Sequence, residues 1–178
     1  MRATLTRAFY RRPTIEVARD LLGKILVHGE TTGRIVEVEA YLGVGDLAAH
    51  SARGLTPRTR VIFGPPGCAY VYLIYGMYEC LNVVSEPDGT PGCVLIRALE
   101  PFEGIETMRE RRGRQHDLTG GPGKLTRALA ITRAHNGQDL TRGSLRILDA
   151  PVPIEPILVT PRIGITQSAD LPLRFLLP

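Results

Sequence analysis

The chain contains no run of about 18 apolar residues, so no segment of the sequence reads as a membrane-spanning helix. Its start, MRATLTRAFYRRPTIEVARDLL, lacks the apolar stretch of a secretory signal and reads as the beginning of the folded domain. Cysteine is scarce. Cys68, Cys80 and Cys93 are odd in number and show no C-x-x-C spacing, which excludes a disulfide framework and suits buried thiols in a reducing, cytoplasmic setting. His28, His50, His116 and His135 form no zinc-ligand pattern with those cysteines, so no metal is expected. Internal repeats and low-complexity segments are absent too. Lysine is nearly missing: only Lys24 and Lys124 among 22 basic residues, the rest being arginine. A planar arginine fork suits phosphates, although arginine-biased codons explain the same count.

What remains is an ordinary globular composition, 43% hydrophobic and 22% charged. The 178 residues fit one domain, 1–178, with a single sizeable core. With 19 glycines and 14 prolines, many tight turns are expected. A formal charge of +4 and a pI of about 9.2 favour a polyanionic partner without demanding one.

The hydrophobic pattern predicts a helix over 14–22, between Pro13 and Gly23, that buries Val17, Ala18, Leu21 and Leu22. Strands are expected at 24–28 and 34–42 around the turn GETTG, followed by a polar loop over 43–60. AYVYLIY and YECLNVV flank Gly76-Met77 as a hairpin, and CVLIRAL (93–99) forms another strand. Helices over 102–112 and 124–131, and strands over 145–148 and 173–177, complete the chain. The fold class read from this order is α+β: a single compact domain, a curved and largely antiparallel sheet, flanking helices and a protruding β-hairpin.

Three segments resist a purely structural reading. In RIVEVEAYL, alternation places Ile35, Glu37, Glu39 and Tyr41 on one face. Two glutamates there are either solvated or lining a site. The strand leads into LGVGDLAAHSARGLTPRTR, with His50, Arg53, Arg58 and Arg60. In YVYLIYGMYECLN, four tyrosines occupy nine residues, and the hairpin tip, Tyr75 to Tyr78, is apolar where a turn is usually polar. Such a tip is either buried or inserted into a partner, and wedging between stacked bases is one such use. GGPGK opens a helix but is not a phosphate loop, because Leu118 and Leu125 stand where Gly and Ser/Thr are required. It superficially resembles the turn of a helix-hairpin-helix, with Lys124 and Asp139 in suggestive places.

Taken together and in order, EVEAYLGVGDLAAHSARGLTPRTR, YVYLIYGMYECLNVV, VLIRALEP and GPGKL resemble the alkyladenine (3-methyladenine) DNA glycosylases, in a minimal, bacterial-type form. The resemblance runs from about Arg34 to Lys124, with an echo at PLRF. It implies Glu39 as general base, with Arg97 helping to place the water. It also implies a base pocket of Tyr41, His50, Tyr72 and Asn82, with Asn82 limiting groups at the purine 2-position. Tyr75 matches the intercalating wedge, and Met77, beside it at the apolar tip, is expected to insert with it. Double-stranded DNA containing damaged purines is the implied partner; from the arginine-rich loop and the helix-entry loop, Arg53, Arg58, Arg60 and Lys124 are expected to contact its phosphates. No dissociable cofactor is implied, and a monomer is expected. Glu79, just after the wedge, has no assigned role.

Three other readings account for parts of the chain. A glycosylase with lyase activity using Lys124 as an amine nucleophile leaves Glu39 and the tyrosines idle. A sugar hydrolase using Glu37 and Glu39, about 6.6 Å apart on one strand face, has nothing resembling a sugar groove. A non-catalytic DNA-distorting module shares the wedge but releases no base.

Overall fold

The computed structural model describes residues 2–151 and 153–178. The helices are α1 (Arg7–Tyr10), α2 (Thr14–Leu21), α3 (Ile105–Arg112) and α4 (Pro122–Ala128). The strands are β1 (Ile25–His28), β2 (Thr31–Leu42), β3 (Ala69–Ile74), β4 (Tyr78–Val84), β5 (Gly92–Glu103), β6 (Leu145–Leu148), β7 (Leu158–Thr160) and β8 (Arg174–Leu176). All strand pairings are antiparallel, in the order β3-β4-β5-β2-β1-β6, and β8 joins β2 to β7. The α+β expectation describes this architecture. Among the described residues, no helix is long and apolar enough to cross a membrane.

The two longest strands, β2 and β5, form the spine, and their ladder slips twice near its middle. Val36 on β2 and Arg97 on β5 are left without a partner, as Ile35 faces Leu99, Glu37 faces Ala98 and Val38 faces Ile96. Extra residues of this kind bend a sheet and reverse which face the following side chains occupy. Ile35 therefore lies in the main core with Val38 and Ala40, not on the face of Glu37 and Glu39. Uninterrupted alternation placed it wrongly because the bulge at Val36 shifts the phase by one.

Past the bulge, alternation holds across four strands. Val38, Ala40, Ala69, Val71, Leu81, Val83, Val94 and Ile96 point into the main core, which the buried side of α2 covers with Val17, Ala18 and Leu21. The opposite face carries a smaller cluster of Ile62, Tyr70, Val84 and Cys93, with Tyr41 and Tyr72 packed against it.

Several boundaries differ from the expectations. The β1–β2 turn is only Gly29-Glu30, because Thr31 and Thr32 pair with His28 and Val27. β5 runs on to Glu103, so α3 begins at Ile105, not Phe102. Gly104 separates them at φ +70°, where a Cβ would come within 2.6 Å of the Glu30 carbonyl oxygen. α4 starts two residues early, with Pro122 in its first turn, where a missing N–H costs nothing. The short α1 and β7 carry no periodic signal.

Candidate active site

The pocket face is assembled by register. Tyr70 pairs with Asn82, Asn82 with Leu95 and Leu95 with Glu39, one row crossing β3, β4, β5 and β2. The neighbouring row runs from Val84 through Cys93 to Tyr41. Strands lie about 4.8 Å apart, so residues far apart in the chain become adjacent side chains on one surface. The loop after β2 folds over this surface through a short helical turn at His50–Arg53. The result is a narrow pocket lined by Tyr41, Ala48, His50, Ile62, Tyr70, Tyr72, Asn82 and Cys93.

Its lining combines aromatic rings with small and apolar side chains. His50 stands edge-on to Tyr72, with ring centroids 4.6 Å apart, and its Nδ1 shares a 3.0 Å hydrogen bond with the Tyr70 hydroxyl. Burial, with the Arg58 charge added, holds the imidazole down to about 4, so it is neutral at pH 7. The Arg58 guanidinium lies 5.5 Å from the Tyr72 ring centroid, a cation already held by this wall. Burial and the adjacent Glu39 carboxylate keep the Tyr41 phenol far above its ordinary range, and so protonated. Asn82 is buried and donates through Nδ2 to the Tyr70 carbonyl at 3.1 Å.

Glu39 lies directly behind Tyr41, with no exposed surface. The Tyr41 hydroxyl donates to its Oε2 at 2.9 Å and the Ile163 N–H to its Oε1 at 2.8 Å. Arg97 Nη1 lies 3.4 Å from the same Oε1. The bulge aims Arg97 between the two glutamates, since its Nε also donates to Glu37 Oε1 at 2.9 Å. A buried carboxylate held by these donors, and separated from the aromatic cavity by one phenol ring, sets a fixed acidic group at the rim of that cavity.

The methylpurine-DNA glycosylase family profile matches residues 8–178 of this chain. The chain belongs to that family. It is 53% identical to a protein of Methanocella arvoryzae over 96% of this chain and 88% of that one. It is 55% identical to one of Methanoculleus marisnigri, over 98% and 95% respectively. A relative from Chlorobaculum parvum is 52% identical over 93% and 83%. All three relatives are provisionally named as 3-methyladenine DNA glycosylases. The chain is thus a DNA N-glycosylase, an enzyme of DNA repair.

In this glycosylase, Glu39, Arg97, Tyr41, His50, Tyr72 and Asn82 all fall on one face or on the loop covering it. Tyr75 and Met77 lie at the far end of the same hairpin, 80% and 66% exposed. Tyr75 and Gly76 occupy the centre of the turn at φ +54° and +66°, closed by the Met77 N–H to the Ile74 carbonyl at 3.2 Å. The turn is therefore centred one residue before the Gly76-Met77 pair expected from the sequence. A tyrosine in the left-handed region is strained, and strain of this kind gathers at functional positions.

Arg53, Arg58 and Arg60 are exposed on the covering loop. Lys124 lies elsewhere, outside the cavity wall, at the start of α4 and paired with Asp117. Asp139 is paired with Arg7 and Arg142, not with Lys124, so the suggested helix-hairpin-helix couple is not formed. α4 supports the hairpin instead: a Cβ on Gly123 would meet the Tyr78 ring at 2.9 Å. Glu79 faces away from the cavity toward Arg133, at 3.5 Å. Sequence reasoning left Tyr70, Ile62, Ala48 and Cys93 out of the pocket. Tyr70 alone carried a signal, being in phase with Tyr72 on β3.

Proposed function

We propose that this glycosylase extrudes alkylated purines from double-stranded DNA and hydrolyses the bond joining base to sugar, acting as a monomer. Its substrates on this reading are 3-methyladenine and 7-methylguanine, with hypoxanthine as a neutral third. The observation that carries the proposal is the cross-strand row from Tyr70 to Glu39, which sets an aromatic cavity against a buried carboxylate. Cationic alkylpurines favour ring faces, each well-placed ring adding about 0.5–2 kcal/mol. A neutral His50 adds no opposing charge.

Extrusion costs a few kcal/mol of stacking and pairing. Tyr75 and Met77 fill the gap left in the duplex while Arg53, Arg58, Arg60 and Lys124 bind phosphates. Tyr72 lies on β3 and Tyr75 in the turn that closes the same hairpin, three residues along the chain, so one element carries both pocket wall and wedge. As the base departs with the bonding electron pair, positive charge develops on the sugar; a cationic alkylpurine leaves neutral, whereas hypoxanthine must also take a proton from solvent as it leaves. Glu39 stabilises that charge and takes the proton from the water that attacks the anomeric carbon. Arg97 orients water and carboxylate by charge-assisted hydrogen bonds. Asn82 stands against a purine 2-amino group.

Duplexes carrying one defined lesion each, incubated with the enzyme and then heated in alkali, test the reading. Free base and a strand break at the lesion are expected, with no adduct trapped by borohydride. Binding without base release would leave only a DNA-distorting module, and an adduct lost in Lys124→Ala would transfer the chemistry to a lyase.

A further inference from the structure

Two loops distant in sequence meet over the Glu39 side of the pocket, residues 43–49 after β2 and residues 161–168 before β8. Asp46 and Arg162 join them, both side chains without exposed surface. Arg162 donates from Nη1 to Asp46 Oδ2 at 2.6 Å and from Nη2 to Oδ1 at 2.8 Å. Asp46 also accepts the Leu42 N–H at 2.9 Å and the Ala48 N–H at 3.2 Å. Arg162 further donates to the carbonyls of Ala40 at 3.0 Å and Ser168 at 3.2 Å.

This pair reaches both oxygens of Glu39 through neighbours. The Arg162 guanidinium lies 4.6 Å from the ring centroid of Tyr41, whose hydroxyl holds Oε2. The residue after Arg162 is Ile163, whose N–H holds Oε1. A fully buried ion pair is a weak source of stability, and apolar residues of similar volume often serve as well. Its planar, two-pronged geometry does fix the positions of what it touches. We infer that Arg162, held by Asp46, is a positioning residue that sets the orientation of the Glu39 carboxylate through Tyr41 and the Ile163 N–H. The inference rests on Glu39 being the general base.

The test measures single-turnover excision and lesion-DNA binding for Arg162→Lys, Asp46→Asn and Ile163→Pro. Each is made alone and in a Glu39→Gln background, on a 7-methylguanine duplex that retains a measurable rate without the base. Lysine keeps the charge but loses the fork and the stacking plane, and proline removes one N–H at an exposed position. Misplacement of a catalytic group by an ångström costs about 10²-fold in rate. Each single variant is therefore expected to lose about 10- to 100-fold in excision with binding within about threefold, and to lose nothing further in the Glu39→Gln background. A wild-type rate in folded Arg162→Lys, or an equal further loss in the Glu39→Gln background, overturns the inference. If the ion-pair variants do not fold, Ile163→Pro decides, and an unchanged rate there overturns it. Wild-type excision by Glu39→Gln alone would instead remove the proposed base, a result distinct from failure of the positioning pair.

Discussion

Arg174 Nε donates to Glu37 Oε1 at 2.7 Å, and Arg97 Nε reaches the same oxygen at 2.9 Å. Two guanidiniums thus converge on one oxygen of Glu37. Glu39, two residues along the strand, is held mainly by a phenol and a backbone amide. Both glutamates share a face, so alternation does not separate them, but their partners do. Glu39→Gln should lower single-turnover excision by about 10² to 10⁴-fold while lesion-DNA binding persists. The loss should be greatest for a neutral hypoxanthine duplex and smaller for cationic 7-methylguanine, which leaves partly unaided. Glu37→Gln should cost far less on both duplexes. A collapse confined to Glu37→Gln would move the base two residues upstream.

The hairpin tip sets strain against function. Tyr75 holds φ +54° while remaining 80% exposed, so its ring contributes little packing to the free protein. Tyr75→Gly should relieve the left-handed strain and raise stability by about 0.5–1 kcal/mol. The same change should weaken lesion-DNA binding and excision. Denaturant unfolding and binding isotherms on one preparation check both directions, and unchanged affinity would remove the wedge.

Asn82 is fixed by its bond to the Tyr70 carbonyl across the β3–β4 pair. Asn82→Ser shortens the side chain and opens that part of the cavity. Excision of guanine-type bases relative to adenine-type bases should rise, at a cost of about 1 kcal/mol in stability from the lost hydrogen bond. Competition between two labelled duplexes reads the ratio directly. A ratio that does not move would make Asn82 a structural residue of the hairpin.

His50 predicts a pH dependence of stability. The folded imidazole takes its proton near 4, whereas the unfolded chain takes it near the ordinary value of about 6.5. Between those values the unfolded state binds the extra proton, so acidification through this window favours unfolding. The contribution is fully present above about pH 6.5 and gone below about pH 4. His50→Gln should reduce the difference in urea midpoint between pH 7 and pH 5. An identical difference in the variant would place the imidazole in a more ordinary environment than the fold indicates.

By itself the sequence determined what local chemistry dictates. Alternation put Glu37, Glu39 and Tyr41 on one face of β2, and Tyr70 with Tyr72 on one face of β3, because successive side chains on a strand point opposite ways. It determined the α2 core stripe for the corresponding helical reason, and the β3–β4 hairpin from its length and its glycine. The family motifs supplied the candidate site residues that periodicity leaves undistinguished. Only tertiary structure decided the rest. The bulges at Val36 and Arg97 exist because two particular strands pair in one register, and nothing in RIVEVEAYL records its partner. That pairing removes Ile35 from the site face and brings Arg97 between the glutamates. The Asp46–Arg162 pair spans loops that share no local pattern, and its burial comes from folding alone. Glu37 and Glu39 look alike in the sequence, and they differ in the fold because each meets different donors from strands and loops far along the chain.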